Sequence, residues 1–156
     1  MAPRLYKKKY YRGPRDKYSV EQQAGSLSIP GASQAYATVV PSTSIQGMRK
    51  VKHLTVTAAC DSVTAGAGSL AYWALVYVPQ GTSVNTLNIT GTSGMYEPNQ
   101  FVMGCGVFDF NGGPLRIRCP LSRNLNSGDS IALIMANPFS AETTLRYTVQ
   151  YAITLQ

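Results

Sequence analysis

Nine consecutive residues, Leu70 to Val78 (Leu-Ala-Tyr-Trp-Ala-Leu-Val-Tyr-Val), constrain the fold more than any other stretch. They mix aromatic and β-branched types, which suit a pleated backbone, and Pro79-Gln80-Gly81 ends the run. The segment reads as a central strand buried on both faces, with Trp73 as its core anchor. The rest of the chain must supply the strands that flank it.

Seven further segments are extended in character. Tyr18 to Gln23 with Leu27 to Ile29 reads as a first strand interrupted by Gly25, and Gln34 to Val40 as a second, stopped by Pro41. From Met48 to Cys60 the chain alternates, with Met48, Lys50, Lys52, Leu54, Val56, Ala58 and Cys60 expected on one face. Arg49, Val51, His53, Thr55, Thr57 and Ala59 are expected on the other, with the basic cluster Arg49, Lys50 and Lys52 at a charged rim. Phe101 to Phe110, Leu115 to Leu121, Ser130 to Ala136 and Thr143 to Leu155 complete the set. Arg116 and Arg118 share one face of their segment, and Pro120 marks an edge or a strand end.

Between them lie turn signals: a flexible break at Gly66 to Ser69, the tight reversal Asn111-Gly112-Gly113-Pro114, and Asn126-Ser127-Gly128-Asp129. Gly81 to Gln100 is polar and turn-rich, with room for one helical turn at Ser83 to Leu87 capped by Ser83. A loop of that length is usually functional. Eight extended segments, with no convincing helix and no repeat, make an all-β sandwich or barrel. Periodicity does not choose among a jelly roll, an immunoglobulin-like sandwich and a larger barrel.

Half of the fourteen lysines and arginines sit in the first seventeen residues. Arg4, Lys7, Lys8, Lys9, Arg12, Arg15 and Lys17 against Asp16 give this arm +6 of the chain's net +7, leaving +1 for everything from Tyr18 onward. A cationic tail on a nearly neutral body attracts polyanions by displacing their counterions. Tyr6, Tyr10, Tyr11 and Tyr18 are threaded through the charges, and unpaired bases stack on such rings while lysines follow the phosphates. Pro3, Gly13 and Pro14 and the lack of aliphatic surface exclude an amphipathic membrane helix. A solvated tail, or an import signal read by a nuclear receptor, would share this composition. Residues 1–17 are thus expected to be a nucleic-acid-binding arm, and 18–156 one domain with its own core. Arg49, Lys50, Lys52, Arg116 and Arg118 form a second, body-borne set of nucleic-acid-binding candidates.

Only 13% of residues are charged, against roughly a quarter in a free soluble domain, which favours an oligomer. No apolar run approaches the ~20 residues of a membrane span, and no signal-peptide core follows the charged start. Synthesis and retention inside a cell until assembly are expected, so the sequon Asn88-Ile89-Thr90 carries no weight. Cys60, Cys105 and Cys119 have no metal-ligand spacing and read as reduced, partly buried thiols, an intermolecular disulfide being the lesser reading.

A catalytic inventory is lacking. The single histidine, His53, lies within a strand, and Asp61, Glu97, Asp109, Asp129 and Glu142 are scattered singly. Asp61 and Asp129 suit turn capping by carboxylate-to-backbone bonds. Gly104-Cys105-Gly106 follows no strand-to-helix switch and is no phosphate loop. No enzyme activity, metal or cofactor is expected.

Three stretches carry a resemblance. Tyr72-Trp73-Ala74-Leu75-Val76-Tyr77-Val78-Pro79-Gln80-Gly81, Met95-Tyr96-Glu97-Pro98-Asn99-Gln100-Phe101-Val102-Met103, and Leu121-Ser122-Arg123-Asn124-Leu125-Asn126-Ser127-Gly128-Asp129-Ser130 resemble the small capsid proteins of circular, replicase-encoding single-stranded DNA viruses, the circo-like group. The resemblance spans about Gln34 to the C-terminus, and the basic, tyrosine-bearing arm is of the family's kind. It implies an eight-stranded single jelly roll of two packed antiparallel sheets. It also implies icosahedral self-assembly, about sixty copies in the simplest shell, around a packaged single-stranded DNA genome. A virion location with a stage in the host nucleus, an import receptor and an attachment receptor follow from the same likeness. A non-assembling single-strand-binding β-barrel with a basic tail and a jelly-roll ligand-binding module are the alternatives.

Overall fold

The computed structural model describes residues 18–61, 70–84 and 101–155. The arm, the Gly66–Ser69 break, Glu97, the Asn88 sequon and most of the Ser83–Leu87 turn lie outside the described residues. Nine strands form two antiparallel sheets. They are β1 (Ser19–Ile29), β2 (Ser33–Val40), β3 (Arg49–Cys60), β4 (Leu70–Val78), β5 (Val102–Asp109), β6 (Leu115–Arg118), β7 (Arg123–Leu125), β8 (Ser130–Asn137) and β9 (Thr143–Leu155).

Sheet A runs β1-β9-β3-β6, with β7 also on β3, and sheet B runs β2-β8-β4-β5. Successive strands therefore cross between the sheets, except that β5 follows β4 in sheet B and β7 follows β6 in sheet A. This is the jelly-roll connectivity. The strand count exceeds the expected eight because one strand is broken in two. β6 pairs with Thr55–Ala58 and β7 with Arg49–Val51, along the same edge of β3. Pro120 lies in the break, where a missing N–H ends the ladder.

The same place changes β3. Its alternation does not run straight through. His53 adopts φ +56° in a bulge between Lys52 and Thr55, so two successive residues, Lys52 and His53, stand off the core. Arg49 and Val51 face inward before the bulge; Leu54, Val56 and Ala58 do so after it. The expected grouping of Lys50 and Lys52 with Leu54 and Val56 is thereby corrected. Histidine is among the few non-glycine residues that enter the left-handed region readily, so no glycine advertises the bulge.

Sheet B's central strands are buried on both sides over most of their length. Ile131 to Asn137 of β8 are all buried, and Ala74, Val76 and Val78 form a second apolar cluster with Ala132, Ile134 and Ala136. β4 departs from the expected two-sided burial at its start, where Leu70 and Tyr72 are exposed.

Trp73 is half-buried and packs on the main core, opposite Gly106 of β5. A β-carbon on Gly106 would sit 2.9 Å from the indole, so this glycine makes the space the ring occupies. Gly25 does likewise for Tyr147, whose ring atoms would lie 2.6–3.2 Å from a β-carbon. It does not interrupt β1. Trp73→Ala empties the space above Gly106 and is expected to cost about 3 kcal/mol, the low end for a large aromatic because the ring is half-buried. An unchanged melting temperature in that variant would contradict this packing.

Candidate nucleic-acid interface

All seven lysines and arginines among the described residues belong to sheet A: Arg49, Lys50 and Lys52 in β3, Arg116 and Arg118 in β6, Arg123 in β7, Arg146 in β9. The strands of sheet B contain none. Strand parity divides these seven between the interior and the outer face of sheet A.

Arg49 and Arg123 point inward, at one end of the sandwich. The Arg49 side chain is 8% exposed; its Nη2 donates to the carbonyls of Pro41 (3.1 Å) and Asp129 (3.2 Å). Arg123 lies over the Tyr77 ring, 4.1 Å from its centroid. Asp129 ties this end together by accepting from Tyr77 Oη (2.6 Å), Asn126 N (2.8 Å) and Gln80 N (3.0 Å). Burial pushes its carboxyl up, but the donors of Tyr77, Asn126 and Gln80 together outweigh burial and hold it below the usual carboxylate range. Tyr77 moves the other way, raised by burial and by its bond to that carboxylate. Asp129 thus caps a turn as expected. Asp61 instead pairs with Arg146 across the sheet, at 2.8 Å.

Lys50, Lys52, Arg116 and Arg118 stand together on the outer face. Among the described residues no carboxylate contacts any of them. The register sets them in rows. Arg118 lies beside Thr55, then Gln150, then Gln22; Arg116 lies beside Thr57, then Thr148, then Ala24. The second row, with Gln22, Thr55 and Gln150, lines a shallow hollow of about 500 Å³. Beyond Ala24 and Thr148, a neighbouring hollow of about 610 Å³ reaches Ser26, Ala59 and Arg146.

Tyr18, the first described residue, sits under Lys52, whose Nζ is 4.6 Å from the ring centroid. The arm residues Arg4, Tyr6, Lys7, Lys8, Lys9, Tyr10, Tyr11, Arg12, Arg15 and Lys17 lie outside the described residues, but their chain joins the body at this cationic face.

Of the body candidates, the fold brings four together and turns Arg49 away from them. The floor residues Gln22, Gln150 and Thr148 escaped sequence reasoning. β9 does signal its polar side, since Thr144, Arg146, Thr148 and Gln150 alternate with Leu145, Tyr147, Val149 and Tyr151. That this side lies beside Arg116 and Arg118 is a fact of topology. Cys60 is half-buried with its thiol pushed up to about 11 by burial, Cys119 is buried, and Cys105 is exposed on β5. Among the described residues no three His, Cys, Asp or Glu side chains cluster in a way that would hold a metal.

No family model and no curated protein matches this sequence. Among solved structures, the chain is similar to a BFDV capsid protein crystallised as a decamer, with TM-score 0.52 and 5% identity, covering 91% of this chain and 99% of that one. That likeness is one of fold. A Bacillus endospore appendage protein of disulfide-linked pili (TM-score 0.39, 15% identity, 90% and 92% covered) and Desmodium yellow mottle tymovirus (TM-score 0.33, 13%, 99% and 96%) score too low to build on.

Proposed function

We propose that the chain is a viral coat protein, structural rather than enzymatic. Its sandwich, residues 18–156, self-assembles into a closed icosahedral shell, and sheet A faces the enclosed single-stranded DNA genome together with the arm, residues 1–17. The observation that carries this reading is the segregation of charge. Every described lysine and arginine lies on sheet A, none on sheet B, and the arm's chain enters beside Lys52. A two-sided body of this kind suits a wall between a polyanion and another environment. The jelly-roll fold, shared with the BFDV capsid protein, supports it.

Charge counting leaves a role for the body cations, because the arms neutralise only part of a genome that must also encode a replicase. In a shell of about sixty copies, arms of +6 present about 360 charges, one for each neutralised phosphate. Coding for this chain alone takes 156 × 3 = 468 nucleotides. Adding Lys50, Lys52, Arg116 and Arg118 from each copy raises the total to about 600. The virion is the proposed location. A nuclear stage through import-receptor recognition of the arm, and an attachment receptor, belong to the same proposal.

Electron microscopy of the purified full-length protein, with its absorbance ratio, tests the assembly. Uniform closed shells carrying nucleic acid are expected. A soluble monomer that binds single-stranded DNA would overturn the coat reading in favour of a non-assembling binding module.

A further inference from the structure

We infer that the outer face of sheet A holds an ordered binding site for a single nucleic-acid strand, separate from the arm and running lengthwise along the edge where β3 meets β7 and then β6. The inference rests on the reading of this face as the one turned toward nucleic acid, and names the strand's path across it.

Four cations mark the path. Lys50 and Lys52 are two residues apart on the outer side of β3, and Arg118 and Arg116 are two apart on the outer side of β6, beside Thr55 and Thr57. From Lys50 to the level of Thr57 the line is about 20 Å long at roughly 3.3 Å per residue, shortened by the His53 bulge. Alternate residues on one face stand roughly 6.7 Å apart, a repeat that suits successive phosphates of an extended strand. The cations lie in single file at one side of the sheet. A duplex, with two phosphate rows flanking a groove, would find one of its rows unmatched.

Beside this file lies the hollow floored by Ala24, Thr55, Thr57 and Thr148, with the amides of Gln22 and Gln150 at one end. Small residues leave room for bases, and hydroxyl and amide groups offer both donors and acceptors to their edges. A third hollow of about 340 Å³, lined by His53, Thr55, Arg118 and Pro120, continues past the bulge. The β3 bulge and the β6–β7 break thus open the seam where the cation file passes from β3 to β6.

The test uses the full-length chain and a fluorescein-labelled oligothymidylate, read by anisotropy across a salt series. Two variants are made at exposed positions: Arg116→Gln/Arg118→Gln, and Ala24→Glu, which removes no cation but sets a carboxylate in the hollow. Loss of two contacts should lower the salt slope by about 1.4 and weaken binding by about ten-fold near 0.15 M salt, at roughly 0.7 per contact on a single strand. Ala24→Glu should also weaken binding, and both variants should melt as the parent does. An unlabelled duplex of equal length should compete poorly with the single strand against the Lys7→Ala/Lys8→Ala/Lys9→Ala protein, where the arm's share of the binding is reduced. Parental affinity and slope in both body variants, with loss only in the triple-lysine variant, would overturn the inference while leaving the arm-based function intact. Parental binding in all three would remove the nucleic-acid reading as well.

Discussion

Deleting residues 1–17 is expected to leave a folded sandwich whose hold on single-stranded DNA is far less sensitive to salt. The seven cations removed should take about 5 off the slope of log affinity against log salt, at roughly 0.7 each. Between 50 and 200 mM salt the parent should therefore lose about 10³-fold more affinity than the truncated protein. The sandwich keeps its core because the apolar clusters are built from residues 27–149 and Tyr151, with only partly buried neighbours such as Ile153 outside them. Far-UV circular dichroism of the truncated protein checks this directly, and a lost β signal would contradict it. Replacing Tyr6, Tyr10 and Tyr11 by leucine separates stacking from charge. That variant should keep the salt slope yet lose preference for single over double strands, since stacking contributes roughly 1–3 kcal/mol per base.

Asp129→Ala is expected to cost the fold about 3–4 kcal/mol. The carboxylate accepts three hydrogen bonds, from Tyr77, Asn126 and Gln80, and bonds to a charged acceptor contribute about 1.5–3 kcal/mol each without adding fully. Its removal also leaves the Tyr77 hydroxyl and the Gln80 N–H unmatched in a part-buried place. For a domain of this size the melting temperature should fall by about 10 °C. The pH dependence has a definite sign. Because the folded carboxyl is held below its ordinary value, the unfolded chain binds the proton more readily. Stability from this group is fully present above the ordinary carboxylate range, near pH ~4, and is lost as pH falls through the folded value. Asp129→Asn, which keeps an acceptor but no charge, should show a shallower acid limb in thermal melts. An acid limb equal to the parent's would place the acid-labile contacts elsewhere.

Much of the fold was legible because strands here carry strong local signals. β4 ends at Pro79, β8 ends at Asn137-Pro138 and β9 begins after Glu142, where the local signals say they should, and the residues of these strands are aromatic, β-branched, apolar or alternating. Three features were not local. The β3 bulge depends on His53 accepting a positive φ opposite the β6–β7 break, a tertiary demand with no glycine to announce it. Gly25 looked like an interruption, but its missing side chain is filled by Tyr147 from a strand more than a hundred residues away. The three-residue β7 is too short for periodicity to register. The candidate interface shows the same division. The charges at Lys50, Lys52, Arg116 and Arg118 were plain in the sequence, whereas the bulge decided that Arg49 turns inward and the strand order decided that Gln22, Thr148 and Gln150 lie beside the arginines.

The proposed sidedness of the wall is open to one direct measurement. Cys105 is exposed on β5 of sheet B, while Cys60 is half-buried and Cys119 buried. Intact, nuclease-treated particles would be exposed to a bulky, impermeant thiol reagent, and the labelled peptides identified, with Cys105→Ser as the control. With sheet A turned toward the genome, Cys105 faces out, and it should react in intact particles at a rate close to that in dissociated subunits. If Cys105 reacts only after the particles are taken apart, sheet B faces inward, and the placement of the cationic face against the nucleic acid is wrong.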